Sequence, residues 1–311
     1  MACPPDHRRI KPSEGVTLAA RDRSPLVRSR NRAGLLMTLP AFLLVAFALG
    51  IPIIQAGYYS MTDWNGITAT WIGPSAYWKE LTNPTFWRVI ENNALLLLSV
   101  PVAIIIPLGI AAILNERVYG WRFFRTIYFL PTAVSWVVIG MVASRFFAKA
   151  GLLNELMAYV GLGWIKTDML SNERLALLAI GITFVWSMIG TNTIIFLTGM
   201  ATLDESTHEA ARVDGAGYFR VFWYITLPQL KRFIQFAFVM TVISAFTALF
   251  SLIFVMTGGG PGYGTTTLEF FVYQTAFAKG AFGTGALLGI ILFFIMAMIG
   301  LAQLKLLRTE D

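Results

Sequence analysis

Six stretches of this chain carry no Asp, Glu, Lys or Arg at all: residues 34–61, 94–115, 126–144, 175–203, 233–257 and 280–304. A helix needs roughly 20 apolar residues to cross the hydrocarbon core of a bilayer. In that core a backbone amide finds no water, so a spanning chain must be helical or a closed barrel, and these runs are too long and unbroken for barrel strands. They predict an all-α integral membrane protein with six transmembrane helices. Composition agrees, since 56% of the 311 residues are hydrophobic and 13% are charged, about half the charge of a soluble domain.

The windows also bound the domains. Residues 1–33 form a basic tail, 34–307 one transmembrane domain and 308–311 a short C-terminal tail. The first tail carries Arg8, Arg9, Lys11, Arg21, Arg23, Arg28, Arg30 and Arg32 and is too polar for a signal peptide. Cytoplasmic segments collect Lys and Arg, which places this tail inside. With six spans, the other inside segments are 116–125, 204–232 and the C-terminal tail. With the first tail, and counting Lys305 at the end of the last span, these segments hold 17 of the 24 Lys and Arg residues. Both termini are therefore expected in the cytoplasm, and the +7 net charge follows from topology without invoking nucleic acid. The single cysteine, Cys3, excludes an internal disulfide. Pro40, Pro52, Pro101, Pro107 and Pro131 fall inside the windows and predict kinks.

Catalytic and metal chemistry has little to work with. His208-Glu209-Ala210-Ala211-Arg212 comes within one residue of the zinc-binding H-E-x-x-H pattern, but Arg212 cannot ligate a metal and the other histidine is His7, in the tail. No metal site and no catalytic residue are expected, and His208 reads as an ordinary surface residue. No Gly-Lys pair occurs, which removes a phosphate-cradling P-loop. The glycine-rich run at 258–264 reads as a turn ending the fifth helix. Ion-coupled transport would leave ionisable groups within the spans, and the six windows hold none. Their polar groups are neutral and read first as glue between helices. Trp186, Asn192, Thr247 and Ser251 combine polarity or a stacking face with a mid-span position, which suits a path for an uncharged, polyhydroxylated solute.

Between the fourth and fifth windows stands a polar, mixed-charge segment, HEAARVDGAGYFRVFWYITLP, at 208–228. Ser206-x-x-Glu209 predicts a capping box opening a helix over 207–214, and Gly215 suits the left-handed position that ends one. Residues 218–224 are rich in aromatics, and Pro228 marks the approach to the fifth span. A short helix, small alanines and a glycine turn make a knob that fits a partner's cleft. A plain interfacial amphipathic loop is the alternative.

These residues resemble the cytoplasmic signature of permease subunits in ATP-binding-cassette importers. The pattern E-A-A-x3-G-x9-I-x-L-P is met by Glu209, Ala210, Ala211, Gly215, Ile225, Leu227 and Pro228, with Asp214 and Ala216 flanking the glycine. GWRFFRTIYFLPTAVSWVVIGM at 120–141 and VMTGGGPGYGTTTLEFFVYQTAF at 255–277 are similar to the carbohydrate-uptake branch, in particular to its maltose-transporter-type first permease subunit. The resemblance covers about residues 34–307. It implies the six-helix fold of type I importer permeases, with a coupling loop at 204–228 whose helix docks on an ATPase. Glu209 would cap that helix and offer a charge to the docking groove, and Gly215 would fix its turn.

The resemblance implies partners as well: a second, homologous permease, two ATPase subunits that bind ATP and magnesium, and an extracytoplasmic solute-binding protein. This chain would bind no cofactor of its own and would sit in the bacterial cytoplasmic membrane. A sugar is the expected cargo. The same assembly could carry a polyol, a glycerol-phosphate-type compound or an osmolyte, and a self-contained secondary transporter is the rival from another class. The topology makes Arg212→Cys, in a chain whose Cys3 has been replaced, reactive only to a thiol reagent admitted to the cytoplasmic side. Labelling from outside intact cells would overturn it.

Overall fold

The computed structural model describes residues 37–116, 121–165 and 167–308, so the predicted 1–33 tail and all of the C-terminal tail but Arg308 lie outside the described residues. Among the described residues, six helices are long and apolar enough to cross a membrane: Met37–Tyr59, Pro84–Asn115, Trp136–Tyr159, Glu173–Met200, Lys231–Met256 and Phe282–Lys305, here spans one to six. The chain divides into two compact units, one ending at Ile54 and one beginning at Gln55. In the first, residues 37–54 are helical and exposed at all positions but Gly50. Pro52 has no N–H to continue the helical ladder, and just before it the helix widens into a π turn, Ala46–Gly50, closed by the Ile51 N–H on the Ala46 carbonyl.

In the second unit, span four is the central helix. Ala176, Ala179, Ile180, Phe184 and Phe196 on it are fully buried, and spans two, three and five pack around it. Small residues set the distances. A Cβ added at Gly199 would stand 2.7 Å from the Phe233 ring, and one at Gly190 2.6 Å from the Thr132 methyl. With no hydrophobic force between helices in lipid, such close approach supplies the packing. A neutral polar tie reinforces it. Asn192 donates to the Ala103 carbonyl at 2.7 Å and meets Thr241 Oγ1 at 3.0 Å, joining spans two, four and five.

The third span departs from its charge-free window. Residues 126–144 are not one helix but the end of a short helix, Trp121–Phe129, a 3-10 turn, Leu130–Ala133, and the start of a new helix, Trp136–Phe147. Pro131 breaks the ladder and Ser135 starts it again, its Oγ accepting from the Val138 N–H at 3.4 Å. A second piece, Leu152–Tyr159, completes the span. The charge-free window stopped short of this piece because Arg145, Lys149 and Glu155 follow Ser144. Span two likewise begins at Pro84, not at 94, because Asn83 caps it by accepting from the Thr85 N–H at 3.0 Å with proline in the first turn.

The glycine-rich run after span five is a turn, as expected, with Gly258, Gly259 and Gly262 all at positive φ. It is also pinned to span two. Asn92 donates to the Tyr263 and Thr266 carbonyls at 2.7 and 2.9 Å, and Asn93 accepts from the Leu268 N–H at 2.7 Å. Next to these lies a carboxylate that no sequence pattern singles out. Glu269 accepts from Asn93 Nδ2 at 3.3 Å, while its Oε1 is shut off from solvent with no partner among the described residues. Burial pushes this carboxyl from its ordinary 4.5 up to about 7.

The sign of the consequence is fixed. The folded chain holds this proton more tightly than the unfolded one, so stability is fully present below about 4.5 and is lost as pH rises to about 7. The loss is on the order of 3 kcal/mol. Melting temperatures in detergent should fall over that window, and Glu269→Gln should flatten the fall. An unchanged slope in the variant would remove Glu269 as its source.

Candidate coupling site

The loop between spans four and five folds as a short helix, Glu205–Val213, then Tyr218–Val221, a π turn Phe222–Thr226, and Leu227–Gln229 leading into span five. The start of the first helix differs from the expected capping box. Asp204, not Ser206, is the N-cap, and its Oδ1 accepts from the Ser206 N–H at 3.0 Å. That bond holds the Asp204 carboxyl below its ordinary range. A carboxylate also complements the positive end of the helix dipole, so it outcompetes the serine hydroxyl two residues on. Glu209 therefore does not cap the helix. It is exposed and has no hydrogen-bond or ion-pair partner among the described residues.

The other end follows expectation. Gly215 has φ +80°, the Ala216 N–H donates to the Ala211 carbonyl at 2.9 Å, and the Gly215 N–H donates to that of Arg212 at 3.0 Å. This crossed pair of bonds is the Schellman motif, whose left-handed position glycine fills without the strain of a Cβ. Nothing lies within 4 Å of a Cβ built there, so the demand for glycine comes from φ alone. Pro228 accounts for the π turn before it. It has no N–H for the Tyr224 carbonyl, and the ladder closes by a wider bond from the Leu227 N–H to the Phe222 carbonyl.

Two side chains one turn apart tie the first helix to the rest of the chain. Arg212 Nη2 reaches Glu116 Oε1, just beyond the end of span two, at 3.3 Å. His208 Nε2 meets Thr226 Oγ1, in the π turn, at 3.0 Å, while its Nδ1 faces the Asp204 carbonyl at 3.2 Å. His208 is thus half-buried and bonded at both nitrogens, not the ordinary surface residue expected. No sequence signal names its partner, although the i, i+4 spacing of His208 and Arg212 puts both on one face. Glu209, Ala210, Val213 and Asp214 are exposed, Val213 to 88%. Ala211, Ala216, Ile225 and Leu227 are half-buried, and Pro228 is exposed. The signature residues thus divide between an open surface and the base on which it rests.

The four path candidates differ in burial and in their bonds. Asn192 is buried and committed to the three-helix tie. Trp186 and Thr247 are exposed and Ser251 is half-buried, and Thr247 Oγ1 donates back to the Ile243 carbonyl at 3.1 Å. A cavity of about 320 Å³ beside spans two, five and six is lined by none of them; its walls include Ile104, Ile234, Phe238, Val239 and Gln303.

Comparison with known proteins accounts for the loop and its setting. Residues 103–308 match the family model described as binding-protein-dependent transport system inner membrane component. A probable ABC transporter permease of Pyrococcus horikoshii is 34% identical over 269 residues, covering 85% of this chain and 91% of that protein. The multiple sugar-binding transport system permease MsmF of Streptococcus mutans is 31% identical over 278 residues, covering 88% and 94%. The lactose transport system permease LacF of Rhizobium radiobacter is 27% identical over 303 residues, covering 94% and 100%. In fold, the chain is similar to a chain of a bacterial ABC transporter that imports alginate, with a TM-score of 0.78 over 92% of this chain at 22% identity. A multi-pass membrane chain with this loop in this place belongs to the family of inner-membrane components of binding-protein-dependent transport systems.

Proposed function

We propose that this chain is one membrane-spanning subunit of an ATP-driven importer that carries a sugar or sugar-like solute into the cytoplasm, and that it is itself non-catalytic. The observation that carries this reading is the helix Glu205–Val213, which is tied to its own chain by His208 and Arg212 while Glu209, Ala210 and Val213 stay open. Such a face fits the groove of an ATPase subunit, with Glu209 free to meet a basic residue there and the alanines allowing close approach. ATP and magnesium belong to two such ATPase subunits. A second, homologous permease completes the pathway, and an extracytoplasmic binding protein delivers the solute.

The cargo is inferred from two directions. The six charge-free windows offer hydroxyls, amides and aromatic faces, which suits a neutral polyhydroxylated solute. Two of the relatives above are named for sugar uptake, which supports a sugar or sugar-like cargo. The excess of Lys and Arg in the tails and in the 204–232 loop supports a cytoplasmic position for both termini and for the docking face.

Gentle purification of the tagged chain from its native membrane should recover a second six-span permease and an ATPase in comparable amounts. The binding protein of the same system can then be screened against sugars, polyols and osmolytes. Recovery of the chain alone, still active in uptake, would revive a self-contained transporter. Glu209→Ala and Gly215→Val should both cut solute uptake, the first at the docking face and the second by forcing a β-branched residue into a left-handed position at a local cost of about 1–2 kcal/mol. Full uptake by both variants would sink the docking reading.

A further inference from the structure

The geometry assigns His208 as a positioning residue. Its bond to Thr226 ties the docking helix directly to the helical turns that lead into span five, so that a displacement imposed on the helix reaches the span. This rests on the reading of that helix as an ATPase dock. Covalently, helix and span are joined through Asp214-Gly215-Ala216-Gly217, where two glycines and a left-handed turn make a compliant link. The imidazole bridges across this link. It starts in the second turn of the helix and ends on Thr226, immediately before Leu227–Gln229 and span five.

Both ends of the bridge are firm. The Asp204 carbonyl 3.2 Å from Nδ1 can only accept, so Nδ1 carries a proton. In the neutral ring Nε2 is then an acceptor, and the Thr226 hydroxyl donates to it across 3.0 Å. In the charged ring the same contact persists with the donor reversed. Thr226 is 8% exposed, and Leu230, one turn on, is fully buried. A Cβ at Gly199 would meet the side chains of Leu230 and Phe233 at 2.8 and 2.7 Å, so the start of span five is close-packed on span four. What reaches Thr226 thus reaches the helix packing. The other tie, Arg212 to Glu116, is an exposed ion pair of the kind that is worth little in water. The two ties leave Glu209 and Val213, on the neighbouring face, clear for the partner.

The test uses the whole complex in proteoliposomes and reads ATP hydrolysed per solute imported. Thr226→Val keeps the shape of the side chain and removes the hydroxyl. It should raise that ratio about fivefold, the factor matching one ordinary hydrogen bond of about 1 kcal/mol, with ATPase recovery unchanged. Thr226→Ser should restore coupling, and adding His208→Phe to Thr226→Val should raise the ratio little further, since the bridging bond is already gone and the remaining His208 contact, to the Asp204 carbonyl, lies within the docking helix. A wild-type ratio in Thr226→Val, or loss of the ATPase from that variant, would overturn the assignment. If the wild-type chain recovers no ATPase, the docking reading fails and takes this assignment with it. Wild-type coupling in Thr226→Val removes the assignment alone.

Discussion

Every peptide group that enters hydrocarbon must be hydrogen-bonded within the protein, because each one left open costs several kcal/mol. That demand dictates long helices, and it also dictates how they can be interrupted. Where Pro52 and Pro228 remove a donor, the preceding turn widens to a π register and its peptide groups stay bonded. Where Pro131 does the same, a 3-10 turn and a serine cap absorb the break. Where the chain leaves the helices altogether, asparagine side chains supply the missing partners. Asn92 and Asn93 donate to and accept from the backbone of the 263–268 segment, so part of an irregular loop's backbone is bonded where it lies against span two.

Much of this was legible in the residues, and for a physical reason. Lipid tolerates so few charges that six charge-free windows pointed to six spans, and the left-handed turn at Gly215 needed no tertiary information. Boundaries were less legible. A charge near the end of a span can reach the interface or a partner, so counting charges cut span two short at Arg88 and Glu91, where Arg88 is bonded both to Glu91 and to Glu173 of span four. It lost the C-terminal part of span three in the same way. The cap of the loop helix was missed because two capping residues, Asp204 and Ser206, stood two positions apart, and their competition is settled by local geometry.

The site was legible in its signature and illegible in its ties. A motif names the residues of the loop, but the meeting of His208 with Thr226, and of Arg212 with Glu116, depends on how the chain folds back over 18 and 96 residues. Asn192 shows the converse. Its mid-span polarity made it a candidate for contact with solute, yet an amide surrounded by helices finds their carbonyls and hydroxyls first.

The placement of charge against neutral polarity bears on how such a molecule can move. Ion pairs lie at the two ends of the spans, Arg88 with Glu91 and Glu173 at one and Arg212 with Glu116 at the other. Between them the helices are joined by small-residue contacts and by amide and hydroxyl bonds such as Asn192 to Thr241. A charge buried at mid-span would fix one arrangement, because any shift would strand it in hydrocarbon. A neutral donor can exchange one carbonyl for the next at a cost of about 1 kcal/mol. Spans built this way can change their packing without stranding a charge, and the force that moves them is best applied at the rim, where the loop helix stands.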